Sequence, residues 1–260
     1  MPVQIWATWF AAGQRPQTYI QEFALSELAI SGKAESPFHL RVGENEIGED
    51  YCRGNLSVNG HRISWDLHYA SSFRVVLSSK GWIGFSRTPH SDAVFSGEIK
   101  FDSHSFAGAP LGFGVQGHNC GYRHRNFWKW THAYFPRTES PASTLEALIY
   151  EMPWGLVFRK AVLWHDGKEY IFRKVRDTTP DPQDMRWNFS AVSREGLRLE
   201  ASIDGRGPSV HRLPYMKTNC TGTFEVANNS LSSAKVVLEK QGIPAQELST
   251  RTGAVLEIVG

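Results

Sequence analysis

Two-residue turn signals between stretches of alternating apolar and polar residues constrain this chain more than any other feature. Asn59-Gly60 separates residues 56–58 from residues 62–69, and Asp166-Gly167 separates two similar stretches. A type I′ hairpin turn needs positive φ at both central residues, which Asn or Asp followed by Gly supplies. These patterns predict antiparallel hairpins, with a third at Asp204-Gly205.

Strand signals continue along the chain, for example at residues 97–101 and 254–259. Amphipathic helical periodicity is scarce, because only residues 18–28, 144–150 and 230–240 could be helices, and each is ambiguous. Many short strands separated by regular turns are typical of a sandwich or barrel. The sequence therefore predicts an all-β protein with few short helices.

A polar segment with two prolines, residues 136–143, is the best internal boundary. It divides the 260 residues into roughly equal parts. That length is long for one small barrel and sufficient for two β units. We predict an N-terminal β domain over residues 1–138 and a C-terminal β domain over residues 139–260.

Charge and cysteine content exclude several functions. The net charge is +2 with scattered basic residues, so no nucleic-acid partner is predicted. Cys52, Cys120 and Cys220 are far apart, which indicates free thiols in a reducing compartment. The sequence shows no basic leader and no apolar run that could span a bilayer. We expect a soluble cytoplasmic protein with at most peripheral membrane contact, and the oligomeric state stays open.

Residues 117–132 concentrate chemically active side chains, with three His, two Arg, two Asn and four aromatic residues. If residues 127–134 form a strand, Trp128, Trp130 and His132 share one face. Two indoles beside an imidazole make a wall that can hold a flat apolar ligand and offer it a proton. The nine Trp and fifteen Phe of the chain also suit an apolar pocket.

Three segments resemble, in order, elements of the family that includes tocopherol cyclase and carotenoid 1,2-hydratase. GHNCGYRHRNFWKWTHA at residues 117–133 is similar to the HNWG…W.W.H signature of that family. The SWDL sequence at residues 64–67 resembles its WDL strand, and TNCT at residues 218–221 resembles its NCS element. Cys120 stands where the family has Trp, which removes one possible aromatic wall.

The resemblance implies two lipocalin-like halves and a cavity for an isoprenoid or a related apolar molecule. It also implies a cyclase, hydratase or isomerase that needs no cofactor. In such relatives an acid protonates an alkene, and water or a phenol traps the tertiary cation. We therefore expect a hydrophobic small-molecule substrate.

The proton donor must lie near an apolar cavity, where burial raises the pKa of a carboxyl group. Asp66 is the candidate acid, with His118 or His132 as the alternative. Aromatic faces stabilise a cation by roughly 0.5–2 kcal/mol each. The candidate substrate-binding residues are Trp65, His68, Asn119, Tyr122, His124, Trp128 and Trp130.

Each candidate also has a purely structural interpretation. Asp66 and His68 on the polar face of a strand could be solvated, and both indoles of the aromatic segment could belong to the core. His118 and Asn119 could satisfy buried backbone groups. The joint presence of these residues in the family's order favours a site.

Three other sequence signals give weaker support for a function. Residues 112–117 match GxGxxG without the strand and helix of a dinucleotide site, and indicate a glycine-rich β connection. His118, Cys120, His124 and His132 could ligate a metal but lack a recognised spacing, so no metal is predicted. Cys120 could be a thiolate nucleophile, although a small apolar filler fits it better.

Two hypotheses about function follow. The first is an enzyme that catalyses by shape, proton donation and cation stabilisation. The second is a carrier that holds a lipid or isoprenoid without changing it, since a barrel with an aromatic pocket can merely bind its ligand.

Overall fold

Almost all regular structure in this protein is β-strand. The structure, a computed structural model, describes residues 2–33, 36–78, 84–121, 126–136, 142–152, 155–179, 184–217 and 221–260. Within these ranges the helical structure is one 3-10 turn, Leu25–Glu27, and no described helix is long and apolar enough to cross a membrane. The all-β class predicted from the sequence is confirmed.

The strands follow one another with short connections. The first ten are β1 (Val3–Trp9), β2 (Gln17–Phe23), β3 (Leu28–Lys33), β4 (Ser36–Val42), β5 (Asn45–Ile47), β6 (Tyr51–Val58), β7 (His61–Ala70), β8 (Val75–Ser78), β9 (Gly84–Phe101) and β10 (His104–Gly121). The others are β11 (Trp128–Phe135), β12 (Ser143–Glu151), β13 (Val157–His165), β14 (Lys168–Asp177), β15 (Arg186–Ser193), β16 (Arg198–Asp204), β17 (His211–Met216), β18 (Thr223–Lys240) and β19 (Ile243–Val259).

The chain forms two compact units that alternate along the sequence. Unit 1 comprises Met1–Trp9, Gln17–Arg74 and Pro89–Gln116, and unit 2 comprises Phe10–Pro16, Val75–Thr88 and Gly117–Gly260. The main changeover lies at Gly117, within β10, and β11 is hydrogen-bonded between β12 and β19 of unit 2. The predicted division at residue 138 falls among residues 137–141, which lie outside the described ranges, and stays a prediction.

Unit 1 is built on an open antiparallel sheet. The sheet follows the order β10-β9-β7-β6-β5-β4-β3 and forms a half-barrel, and β1 pairs with β2 in a separate hairpin. Between β7 and β9, Asp66 pairs with Glu98 and Leu67 pairs with Gly97, so that Asp66 and Gly97 are diagonal neighbours. The glycine-rich residues 112–117 lie within β10, as a β segment.

Unit 2 is a closed barrel of eight strands. Its order is β16-β15-β14-β13-β12-β11-β19-β18, and pairing of β18 with β16 completes the ring, while β17 pairs with the first part of β18. Each barrel strand therefore has two neighbours, which removes the exposed edges of an open sheet. β8 pairs with the first residues of β9, and both stretches belong to unit 2.

Side chains from all eight strands fill the barrel interior. The largest fully buried ones are aromatic, and they include Phe135, Phe172, Trp187 and Phe189. Small residues such as Ala147 alternate with them, so that the layers interdigitate. The interior of the unit 2 barrel is therefore a packed core.

Two of the three predicted hairpins are confirmed. Asn59 and Gly60 have φ of 52° and 83° between β6 and β7, and Asp166 and Gly167 have φ of 49° and 69° between β13 and β14. All four angles lie in the left-handed region that a type I′ turn requires.

The third hairpin was predicted wrongly, and so were the helical alternatives. After Gly205 the chain does not return along β16, because β16 pairs with β15 and β18. The three stretches that could be helices lie largely in β2, β12 and β18. Sheet pairing on both sides outweighs weak helical periodicity in short segments.

Gly97 gives a test of the unit 1 sheet. Its φ is 122°, and an added Cβ would lie 2.1 Å from the carbonyl oxygen of Asp66. Gly97→Ala should therefore destabilise the protein by about 1–3 kcal/mol. Gly112→Ala, where an added Cβ meets nothing within 4 Å, is the matched control and should change stability by less than about 0.5 kcal/mol. Equal urea midpoints for the two variants would contradict this account.

Candidate functional site

The alternation of β11 places its aromatic and imidazole side chains outside the barrel. Ala133 and Phe135 belong to the interior core. Trp128, Trp130 and His132 occupy the other set of alternating positions and so face outward. The strand and the shared face predicted from the sequence are both confirmed.

A buried carboxyl group lies on the neighbouring strand. Glu146 of β12 is directly opposite His132 of β11 and is 1% exposed. Its Oε1 accepts hydrogen bonds from Trp130 Nε1 at 3.0 Å and from Thr88 Oγ1 at 2.8 Å. Its Oε2 is buried and has no hydrogen-bond partner among the residues described. One oxygen is thus oriented by two donors, and the other is left available.

This environment changes the acidity of Glu146. Burial raises the pKa of Glu146 to about 7, although the hydrogen bonds from Trp130 and Thr88 and the charge of Lys160 oppose the shift. Removing a carboxylate from water disfavours its charged form, which is why burial dominates. The group therefore exchanges its proton near neutral pH, as a general acid must.

A short layer of chain covers this part of the barrel surface. Thr88 at the beginning of β9 is 2% exposed, and Val75 and Leu77 of β8 are buried as well. Lys160 of β13 donates a hydrogen bond from Nζ to the carbonyl oxygen of Val76. β8 and the beginning of β9 therefore form a lid of unit 2 residues over β12 and β13.

A second carboxyl group lies on the other side of β11. Glu257 of β19 is opposite Trp130, and its Oε1 accepts a hydrogen bond from Trp128 Nε1 at 2.6 Å. Burial raises the pKa of Glu257. Burial, and then the charge of Glu257, raise the pKa of Tyr215 to about 12, so this phenol stays protonated. Both indoles of the sequence signature thus donate to protonatable carboxyl groups.

The candidates from the WDL-like strand lie in unit 1. Asp66 and His68 of β7 are exposed, and Trp65 is half-buried against Gly54, where an added Cβ would lie 2.7 Å from the indole. Burial, with a smaller contribution from Asp66, raises the pKa of the Cys52 thiol to about 11. The role of Asp66 as proton donor stays a prediction, and its exposure favours the solvated alternative.

The remaining candidates are only partly described. His118 is half-buried and Asn119 exposed, both near the end of β10, and His132 is 3% exposed. Tyr122 and His124 lie outside the described residues, as does the side chain of Cys120. In the described part of the chain no group of three or more His, Cys, Asp or Glu could hold a metal ion.

The structure of this chain is similar to that of a solved hydratase. It matches kievitone hydratase from Nectria haematococca with a TM-score of 0.59 and 12% sequence identity, over 94% of this chain and 75% of the other. No family model and no curated protein sequence matches this chain.

At this identity the similarity establishes the fold. The predicted class, two lipocalin-like β halves, is confirmed, with a half-barrel sheet in unit 1 and a closed eight-stranded barrel in unit 2. The similarity thus supports the lipocalin-like fold that the sequence resemblance implies. Membership of the tocopherol cyclase and carotenoid hydratase family stays a prediction.

Glu146, Glu257 and Thr88 are not among the residues that the sequence motifs indicate. The signal for Glu146 is one acid within the otherwise uncharged sequence STLEALIY, residues 143–150. Charged residues in a strand covered on both faces are rare and need a partner. Thr88 had no local signal, because it lies 58 residues away from Glu146 in sequence.

The raised pKa of Glu146 predicts a pH-dependent stability. The folded state holds a proton that the unfolded state releases at its ordinary pKa of 4.5, so stability is highest below that value and falls as pH rises to about 7. The fall is about 3 kcal/mol.

Urea unfolding at pH 5 and pH 8 measures this difference. Glu146→Gln should remove the contribution of Glu146 and leave that of Glu257, whose pKa burial also raises, whereas the exposed carboxylate variant Glu200→Gln should keep both contributions. The same slope in both variants would show that Glu146 is already ionised in the folded protein at pH 5.

Proposed function

We propose that this chain is a hydratase-type enzyme that acts by proton transfer on an apolar, unsaturated small molecule. The observation that carries the proposal is Glu146, a buried carboxyl group whose pKa is raised to about 7. The likeness to a hydratase fold supports the reaction class. An isoprenoid or related natural product is the proposed substrate class.

The hydrogen bonds of Glu146 indicate which oxygen carries the proton. Oε1 accepts from Trp130 and Thr88, and an oxygen that accepts two hydrogen bonds is the carbonyl-like one in a neutral carboxyl group. The proton then lies on Oε2, which no described residue engages. A proton without an acceptor in a water-poor site is available to a weak base such as an alkene.

The proposed reaction balances without a cofactor. The Oε2 proton forms a new C–H bond at the less substituted alkene carbon, and the π bond becomes a tertiary cation. Water adds to the cation to form the C–O bond, and its surplus proton returns to the Glu146 carboxylate. Attack by an internal phenol in place of water would give a ring, so that a cyclase uses the same first step.

Trp130 has two tasks in this proposal. Its indole N–H holds the Glu146 carboxyl group, and its ring offers a face that stabilises a nearby cation by roughly 0.5–2 kcal/mol. Because Glu146 is 1% exposed, the substrate reaches Oε2 when the lid of β8 and early β9 is displaced. We place the enzyme in the cytoplasm, in line with the predicted free thiols.

Loss of the acid tests the proposal. The wild type is incubated with kievitone and with isoprenoid alkenes in isotopically labelled water, and mass spectrometry detects incorporation of one labelled oxygen. Glu146→Gln keeps an acceptor for Trp130 and Thr88 but has no acidic proton. It should lower the rate by about 10²- to 10⁴-fold while the circular dichroism spectrum is unchanged.

Two comparisons make this test selective. Glu200→Gln, an exposed variant of the same barrel, should retain full activity. Asp66→Asn separates the two candidate acids. If this variant retains turnover, Glu146 is favoured as the acid. If it loses turnover while Glu146→Gln retains it, the acid is Asp66. Recovery of a bound apolar compound unchanged in every variant would identify a carrier.

The pH profile tests Trp130 as a positioning residue. Its hydrogen bond lowers the pKa of Glu146, and activity requires the protonated acid, so the rate falls as pH rises through that pKa. Trp130→Phe keeps an aromatic face but removes the N–H, and should move the falling limb to higher pH. A structural role alone would lower the rate at every pH without moving the limb.

A further inference from the structure

A groove with a volume of about 640 Å³ lies in unit 2, at the end of the barrel where β15 begins and β16 ends. None of its lining residues comes from β8, β9, β11, β12 or β19. It is therefore separate from the carboxyl groups on the outer face. Its volume is that of a small-molecule site.

The floor of the groove is apolar. Met185 is 5% exposed and belongs to the interior core, and Val210 packs against the same core. Pro16 and Pro208 add two rigid apolar walls. A ligand body placed here covers the end of the core with hydrocarbon rather than water, which is favourable in proportion to the area covered.

The rim of the groove is cationic. Arg15, Arg206 and Arg212 all line it. Arg206 makes two hydrogen bonds to Asp204, Nε to Oδ1 at 3.0 Å and Nη2 to Oδ2 at 2.6 Å. Arg212 Nη1 contacts Glu225 at 2.5 Å, and both side chains are more than half exposed. Exposed pairs of this kind contribute little stability, so that a ligand can compete for them.

One guanidinium on the rim, that of Arg15, has no counter-charge among the residues that the structure describes. Asp184, the one acid of the lining, pairs with Arg186. Within the described ranges no carboxylate pairs with Arg15. Together with their ion-pair partners Asp204, Glu225 and Arg186, the groove residues hold four guanidinium groups and three carboxylates, which leaves a surplus of one positive charge, at Arg15.

The turn that carries Arg15 is held against the barrel. Ser209 Oγ donates a hydrogen bond to the carbonyl oxygen of Gln14 at 3.4 Å. The ring of Phe10 meets His211, another lining residue, edge to face at 6.4 Å between centroids. Both ends of the turn therefore contact unit 2, which holds the backbone of Arg15 beside the groove.

We infer that this groove binds an amphipathic small molecule that has an apolar body and one carboxylate. The body lies on Met185, Val210 and the two prolines, and the carboxylate pairs with Arg15. A guanidinium matches a carboxylate with two parallel N–H donors, which gives geometric selectivity as well as affinity. This site goes beyond the proposed hydratase activity and needs no residue of it.

Calorimetric titration of the full chain with three probes tests the inference. Octanoate has both features, 1-octanol keeps the apolar body without charge, and acetate keeps the carboxylate without the body. Octanoate should bind about tenfold or more tightly than either of the others, because each of them loses one of the two interactions.

Substitutions assign the binding to this groove. Arg15→Gln should weaken octanoate about tenfold and leave octanol unchanged, and Arg15→Lys should weaken it less. Arg198→Gln, an exposed arginine of the same barrel outside the groove, should have no effect. The inference would be overturned if octanol or acetate bound as tightly as octanoate. It would also be overturned if the Arg15 and Arg198 variants lost the same amount of affinity for octanoate. Turnover by the Glu146 site should be the same in all of these variants.

Discussion

Closure of the unit 2 barrel depends on one long strand that changes partners. β18 pairs with β17 over its first residues and with β16 over its last, while β19 follows it on the other side. The change occurs at Asn229, whose Oδ1 accepts from the Leu231 backbone N–H and whose Nδ2 donates to the Gly205 carbonyl, both at 2.8 Å. A buried amide thus satisfies the backbone groups that the bend would leave unpaired.

A closed barrel with a filled interior has consequences for where chemistry can occur. Aromatic side chains occupy the space that a ligand-carrying barrel keeps open. Two carboxyl groups with raised pKa, Glu146 and Glu257, therefore lie on the outer face and flank β11. Burying an acid with one unpaired oxygen costs stability, and natural proteins retain such a cost mainly at functional sites.

Local sequence was sufficient where local geometry decides the structure. Asn59-Gly60 and Asp166-Gly167 predicted their hairpins because positive φ restricts the residue types, and alternation predicted the shared face of Trp128, Trp130 and His132. Asp204-Gly205 does not form the predicted hairpin because β16, the strand before it, pairs with β18, which lies further along the chain.

The candidate acid illustrates the same limit. The WDL-like motif indicates Asp66 as the acid. The exposure of a side chain depends, however, on which other segments cover its strand, and the local sequence does not show which segments these are. Glu146 lies in a segment that could have been a helix, and its cover comes from a distant stretch near Thr88. The aromatic half of the site was therefore predictable, and its carboxyl groups were not.

The pairing of β11 with β19 also determines the order in which the barrel can assemble. β11 reaches its second neighbour only when Ala254–Val259 of β19 lie beside it, more than a hundred residues further along. Until then β11 and β16 are the open edges of a growing sheet. Synthesis paused between β16 and β18 would expose both edges, and a second nascent chain could add a strand to either of them.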